Sequence, residues 1–86
     1  MTDATLTIRF FARLREELDT ESLQLPATPE QTVADLLSEL AARGDRWAQL
    51  QGDQPVMVAV NQAMAKPSTP VNAGDEVAFF PPVTGG

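Results

Sequence analysis

Residues 32–43, TVADLLSELAAR, form the stretch that decides the fold, because they give the clearest helical pattern in the chain. Their apolar side chains recur at the i, i+3, i+4, i+7 and i+8 spacing of a helix that buries one face. These side chains belong to Val33, Leu36, Leu37, Leu40 and Ala41. The spacing predicts one amphipathic helix that must cover a sheet.

Two starting points compete for this helix. Thr28 fits a capping box with Pro29 at the first helical position, whereas Thr32 offers a cap with the carboxylate of Asp35 in the first turn. We favour Thr32 because the apolar stripe begins directly after it. Gly44 lies where glycine usually follows the last residue of a helix, so we expect the helix to stop there.

Two strands are predicted before this helix and three after it. They lie at residues 5–11, 22–25, 56–60, 63–66 and 76–80. The first and last alternate in the period of two that is typical of a half-buried strand, with Phe11 breaking the first alternation and Phe79 and Phe80 on opposite faces. The third is a continuous apolar run, which favours a strand buried on both faces.

Shorter elements connect these strands. Residues 12–18 predict a helical turn with Leu14 and Leu18 on one face, and residues 45–50 predict another with Trp47 and Leu50 turned inward. Asn61-Gln62 suits a tight turn because asparagine tolerates the left-handed conformation.

The order β-β-α-β-β-β indicates an α+β domain of the β-grasp, or ubiquitin-like, kind. We expect a mixed sheet of about five strands covered by one main helix. The domain is predicted to span residues 1–80, and residues 81–86 are predicted to form a flexible carboxyl-terminal tail.

Composition excludes several function classes. The chain has no Cys and no His, so it has no disulfide, no thiol nucleophile, no Cys or His metal site and no Ser-His-Asp triad. The acidic residues form no convincing inward pair, and we expect no catalysis by the chain alone.

The net charge of the chain excludes some classes of binding partner. The net charge is −6 with six basic residues, so nucleic acid and anionic membranes are poor partners. The sequence lacks an apolar run near the ~20 residues needed to span a bilayer, and its start does not resemble a signal peptide. We expect a cytoplasmic protein.

The last eight residues, FFPPVTGG, point to chemistry at the carboxyl terminus. Gly85 and Gly86 place the terminal carboxylate on unhindered backbone that fits a narrow pocket. Pro81 and Pro82 favour an extended path. Six extended residues reach about 20 Å, far enough to enter a partner's active site.

With these residues in view, the chain resembles the molybdopterin synthase small-subunit family of ubiquitin-like sulfur carriers over essentially its whole length. The resemblance is carried by FFARLRE at residues 10–16, by DRW at 45–47, by VNQ at 60–62 and above all by GDEVAFFPPVTGG at 74–86.

This resemblance implies a sulfur carrier with no permanently bound cofactor. An activating enzyme would use ATP to adenylate the Gly86 carboxylate, and a sulfur donor would convert the adenylate to a thiocarboxylate. The large synthase subunit would then accept the tail and pass the sulfur to cyclic pyranopterin monophosphate.

The resemblance also implies a docking face made by Phe11, Met64 and Phe80, with a polar contact from Arg15. The tail residues that enter the partner would be Pro81, Pro82, Val83 and Thr84, followed by Gly85 and Gly86. The alternative places Phe80 and Met64 in the core and leaves Arg15 as a solvated charge. Two other functions stay open: a sulfur carrier or protein modifier of another pathway (thiamine, tRNA thiolation or conjugation), and an interaction module with an inert tail.

Overall fold

Five strands form one mixed sheet in the computed structural model, which describes residues 4–51 and 56–82. The strands are β1 (Thr5–Phe10), β2 (Ser22–Pro26), β3 (Met57–Val60), β4 (Ala63–Met64) and β5 (Glu76–Phe80). The helices are α1 (Ala12–Leu18), α2 (Val33–Ala41) and α3 (Asp45–Ala48), and a 3-10 turn at Gln49–Gln51 follows α3. The sheet order is β2-β1-β5-β3-β4, with β1 and β5 parallel and the other neighbours antiparallel. The predicted β-grasp architecture is confirmed.

The main helix α2 begins at the second of the two predicted starts. The Thr32 hydroxyl accepts a hydrogen bond from the Asp35 backbone N–H at 3.4 Å, and the Asp35 carboxylate accepts one from the Thr32 N–H at 2.9 Å. This reciprocal pair is a capping box, in which each residue satisfies a backbone donor of the other. The predicted cap at Thr32 is therefore confirmed.

A loop after β4 supplies the remaining partners of the α2 amino terminus. The Val33 N–H donates to the Thr69 carbonyl at 3.0 Å, and the Ala34 N–H donates to the Pro67 carbonyl at 2.9 Å. Helix starts leave such donors without intrahelical partners. The loop at residues 66–71 is thus fixed to α2 although it is far from it in sequence.

The core lies between the sheet and the helices. Its buried members are Leu6, Ile8, Phe10, Leu14, Leu18, Leu25, Val33, Leu36, Leu40, Leu50, Val58, Val71, Val77 and Phe79. Phe10 stacks against Phe79 at 6.1 Å between ring centroids and meets Trp47 edge-on at 5.5 Å. The inward placement predicted for Trp47 and Leu50 is confirmed, with Trp47 half-buried and Leu50 buried.

Two sequence predictions were wrong. The strand at residues 56–60 is not buried on both faces, because only Val58 of β3 is buried and the helices cover one face of the sheet. Gly44 does not follow α2 directly: α2 ends at Ala41, a turn intervenes, and Gly44 precedes α3 with φ +157°. In that turn the Arg43 N–H bonds to the Leu40 carbonyl at 3.1 Å, and this tighter bond ends the helix early.

No helix among residues 4–51 and 56–82 is long and apolar enough to cross a membrane.

Candidate docking surface and the root of the tail

One face of the sheet carries no buried core residue, and we name it the open face. Strand alternation and cross-strand register define it, because directly paired residues of neighbouring strands point to the same side. Strands β3, β4 and β5 contribute Met57, Ala59, Met64, Glu76, Ala78 and Phe80 to this face, and strands β1 and β2 contribute Thr5, Thr7, Arg9, Ser22, Gln24 and Pro26. All of these residues are half-buried or exposed, and those on β3, β4 and β5 are apolar except Glu76, which is typical of a surface that binds another protein.

Phe11 extends this face beside the end of β5. Phe10 pairs with Phe79, and the Phe11 N–H donates to the Phe79 carbonyl at 3.2 Å, so the next step of the register sets Phe11 beside Phe80. Phe11 is 40% exposed, and the Arg9 guanidinium lies 5.6 Å from the centre of its ring. Its neighbour Ala12 has φ +54°, an uncommon value for alanine, and this bend turns the chain into α1 directly after Phe11.

Phe80 is the last residue of β5, at the root of the tail. It is half-buried and pairs with Met57 across the sheet. Pro81 and Pro82 follow and are also half-buried. Proline has no N–H to donate to a sheet, so the central strand ends there and the chain leaves from the edge of the open face.

Met64 lies across the face from this point. It is 62% exposed, pairs with Ala59, and belongs to the two-residue strand β4. It is therefore not a core residue. Arg15 lies on α1 rather than on the sheet, is exposed, and forms no ion pair with the described residues. The structure thus brings Phe11, Phe80 and Met64 to one face and sets Arg15 to its side.

Sequence reasoning missed that Met57 belongs to the open face and that Arg9 forms an ion pair there. Met57 was assigned to a strand buried on both faces, and no ion pair was predicted for Arg9. Arg9 forms an ion pair with Glu76 at 3.4 Å across β1 and β5. The signal that could have found Met57 was the presence of one main helix, because one helical layer leaves the other face of a sheet uncovered.

Asn61 joins the two turns at the far end of the sheet. Its side-chain amide donates to the Asp75 carboxylate at 3.0 Å, and its side-chain carbonyl accepts from the Glu76 N–H at 3.0 Å. Asn61 and Gln62 both have positive φ, +51° and +70°, as a two-residue hairpin of type I′ requires. The predicted turn is confirmed, and the side-chain bonds explain why asparagine serves there.

The described residues form no arrangement that is typical of a catalytic or metal-binding site. Residues 4–51 and 56–82 contain no group of acidic side chains that could hold a metal ion and no buried side-chain polar atom without a hydrogen-bond partner. A 340 Å³ depression, at the end of the sheet away from the tail, is lined by Ala4, Ala27, Thr28, Pro29, Asn72 and Ala73 and contains no charged group. The predicted tail residues Val83, Thr84, Gly85 and Gly86 lie outside the described residues.

Comparison with known proteins identifies the family to which the chain is similar. The sequence profile of the ThiS family matches residues 8–86. The chain is 43% identical over 81 residues to the molybdopterin synthase sulfur carrier subunit of Escherichia coli K12, with 94% of this chain and 99% of that protein covered. It is 40% identical over 82 residues to the protein of the same name from Haemophilus influenzae, with the same coverage.

A solved structure agrees with the fold. The solution structure of the Haloferax volcanii HVO 2177 protein matches with a TM-score of 0.79 at 34% identity, covering 95% of this chain and 86% of that one. Since the family profile and both relatives cover nearly the whole chain, this protein belongs to the ThiS family.

Proposed function

We propose that this protein is the sulfur carrier subunit of a molybdopterin synthase, which the large subunit of that enzyme completes. The observation that carries the proposal is the 43% identity to the Escherichia coli sulfur carrier subunit over 99% of that protein's length. The absence of Cys and His is compatible with it, because such a chain offers no thiol or imidazole for catalysis of its own.

The reactive group in this proposal is the carboxylate of Gly86. A carboxylate is an anion at neutral pH and a poor acyl donor, since direct attack would have to expel oxide. An activating enzyme therefore joins it to AMP: a carboxylate oxygen attacks the α-phosphate of ATP, and pyrophosphate leaves. Sulfur from a donor then displaces AMP and gives a thiocarboxylate. ATP is consumed in this step and is not a resident cofactor.

In this proposal the open face and the tail have different roles in sulfur transfer. The face docks on the partner through Phe11, Met64 and Phe80, and the tail that starts at Pro81 enters the partner's active site. The large subunit then transfers the sulfur to cyclic pyranopterin monophosphate. This division is supported by geometry, because Phe80 belongs to the face and is also the last residue before the tail.

The experiment that tests the function is the intact mass of the chain after incubation with ATP, a sulfur donor and the activating enzyme of the same organism. We expect a gain that corresponds to one oxygen replaced by sulfur, located on Gly86 by peptide mapping. Gly86→Ala should fold normally but stay unmodified, because a Cβ at the last residue obstructs the nucleotide site. An unchanged mass of the natural chain, with an enzyme active on an authentic carrier, would favour the interaction module with an inert tail.

A carrier for another pathway would give the same mass change. The second step therefore adds the large synthase subunit and its pterin substrate. We expect the thiocarboxylate to be consumed and dithiolene product to form. Consumption by a thiamine or tRNA thiolation system, with none by the synthase, would assign the carrier to that pathway instead.

A further inference from the structure

Four neighbouring residues form a row across the open face where the tail begins. The row runs from Phe11 through Phe80 and Met57 to Lys66. Phe11 lies next to Phe80, and Phe80 pairs with Met57. Beyond Met57 the next strand in the sheet is β4. The Ala65 N–H donates to the Val58 carbonyl at 3.0 Å, which extends the β3–β4 pairing past Met64 and brings Lys66 beside Met57 at the next step.

Lys66 is fixed in this position by its backbone. Its N–H donates to the Thr69 hydroxyl at 2.9 Å, and its carbonyl accepts from the Thr69 N–H at 3.0 Å. The next residue, Pro67, is bound in turn to the Ala34 N–H at the start of α2. Alternation along the chain points Lys66 outward, because Ala65 packs against the core and Met64 is exposed. Lys66 is therefore an exposed side chain on an ordered backbone.

No carboxylate of the described residues forms an ion pair with Lys66. The open face has one acidic residue, Glu76, which is paired with Arg9 at 3.4 Å. Lys66 forms no ion pair with residues 4–51 and 56–82, although the chain carries twelve acidic residues and has a net charge of −6. It is also the only lysine in the sequence. The edge of the open face at β4 is thus positive on a protein that is acidic as a whole.

We propose that Lys66 binds a carboxylate of the partner protein that docks on the open face, next to the apolar site that receives Phe80 and Met57. The inference rests on the proposed function, since it assigns the chemistry of the partner to which the tail is delivered. The row is asymmetric, because the Arg9 cation beside Phe11 at one end is paired with Glu76, whereas Lys66 at the other end has no carboxylate among the described residues. A complementary partner therefore fits in one orientation. That orientation directs the tail at Pro81 toward the partner's active site. A charge at the rim of an interface acts mainly on orientation and association rate.

The test compares two charge reversals in binding to the large synthase subunit of the same organism. Lys66→Glu and Arg46→Glu change the net charge equally, and both residues are exposed. Arg46 lies on α3, which packs with α2 on the covered side of the sheet, and its side chain forms no ion pair with the described residues. We expect Lys66→Glu to weaken the affinity for the large subunit about threefold to tenfold, because it removes an exposed ion pair and replaces it with repulsion between two carboxylates. We expect Arg46→Glu to change that affinity less than about twofold. Lys66→Gln should fall between the natural chain and Lys66→Glu.

Salt provides the second readout. The loss caused by Lys66→Glu should shrink as ionic strength rises from about 0.05 M to about 0.5 M, because the Debye length falls over that range. Equal affinities of Lys66→Glu and Arg46→Glu would overturn the inference while leaving the function intact. Failure of the natural chain to bind the large subunit would count against the proposed function itself and would remove the basis of this inference.

Discussion

Replacing Asn61 by alanine should remove more stability than its exposed position suggests. The Asn61 side chain makes two hydrogen bonds, donating to the Asp75 carboxylate and accepting from the Glu76 N–H, both at 3.0 Å. Its backbone has φ +51°, which alanine adopts at a cost. The same residue therefore joins the β3–β4 turn to the start of β5 and also supplies a conformation that the turn requires.

The magnitude follows from these two contributions. Each hydrogen bond contributes about 0.5–1.5 kcal/mol, and the left-handed conformation disfavours alanine by about 1 kcal/mol. We expect Asn61→Ala to lower the free energy of unfolding by about 2–4 kcal/mol. Asn61→Gly removes the same two hydrogen bonds, but glycine adopts the left-handed conformation without the penalty that alanine has, so we expect a loss of about 1–3 kcal/mol.

Urea unfolding followed by circular dichroism measures both values. Asn72→Ala is the matched control: Asn72 is an exposed asparagine in the neighbouring turn, and its side chain makes no hydrogen bond with the described residues. We expect that control to stay within about 0.5 kcal/mol of the natural chain. Equal losses for Asn61→Ala and Asn61→Gly would refute the backbone contribution. A loss for Asn61→Gly no larger than that for Asn72→Ala would refute the side-chain contribution.

Two further predictions concern the main helix and the docking surface. Thr32→Ala should destabilise the domain by about 1 kcal/mol because it removes the cap of α2, whereas Thr28→Ala, at the start that the structure does not use, should change the midpoint of thermal unfolding little. A larger effect at Thr28 would contradict the assignment of the cap. Phe80→Ala should leave the fold intact and weaken binding to the large synthase subunit about tenfold or more, as loss of an apolar anchor does. Leu37→Ala, a half-buried apolar position on α2, is the control, and equal binding losses at Leu37 and Phe80 would show that the effect is not local to the open face.

Much of the architecture could be predicted because its determinants are local. Strand alternation around Ile8 and Val77 and the helical stripe through Leu36 record which side of each element is buried, and both patterns were confirmed. The cap at Thr32 was predictable for the same reason, since its partner lies three residues away. Local patterns did not settle β3, whose apolar run is compatible with burial on either face or on both.

The docking surface depended on information that no local pattern contains. Phe11 and Phe80 are neighbours because β1 and β5 pair in parallel although they lie at opposite ends of the chain. Met57 joined the surface once the structure showed which face of the sheet the helices leave open. The sequence resemblance suggested Phe11, Met64 and Phe80 for this role, and their docking role remains a prediction.

The amino-acid sequence by itself determined the class of the fold, the absence of thiol and imidazole chemistry, and the family to which the chain belongs. These properties depend on composition, on periodicity within single elements and on the motif at residues 74–86. Only the tertiary structure showed that Lys66 lies beside Met57 at the end of the row. The same is true of the hydrogen bonds that join the Asn61 side chain to Asp75 and Glu76 at the start of β5. Both depend on the register between strands, which is set by hydrogen bonds and packing among residues far apart in the chain.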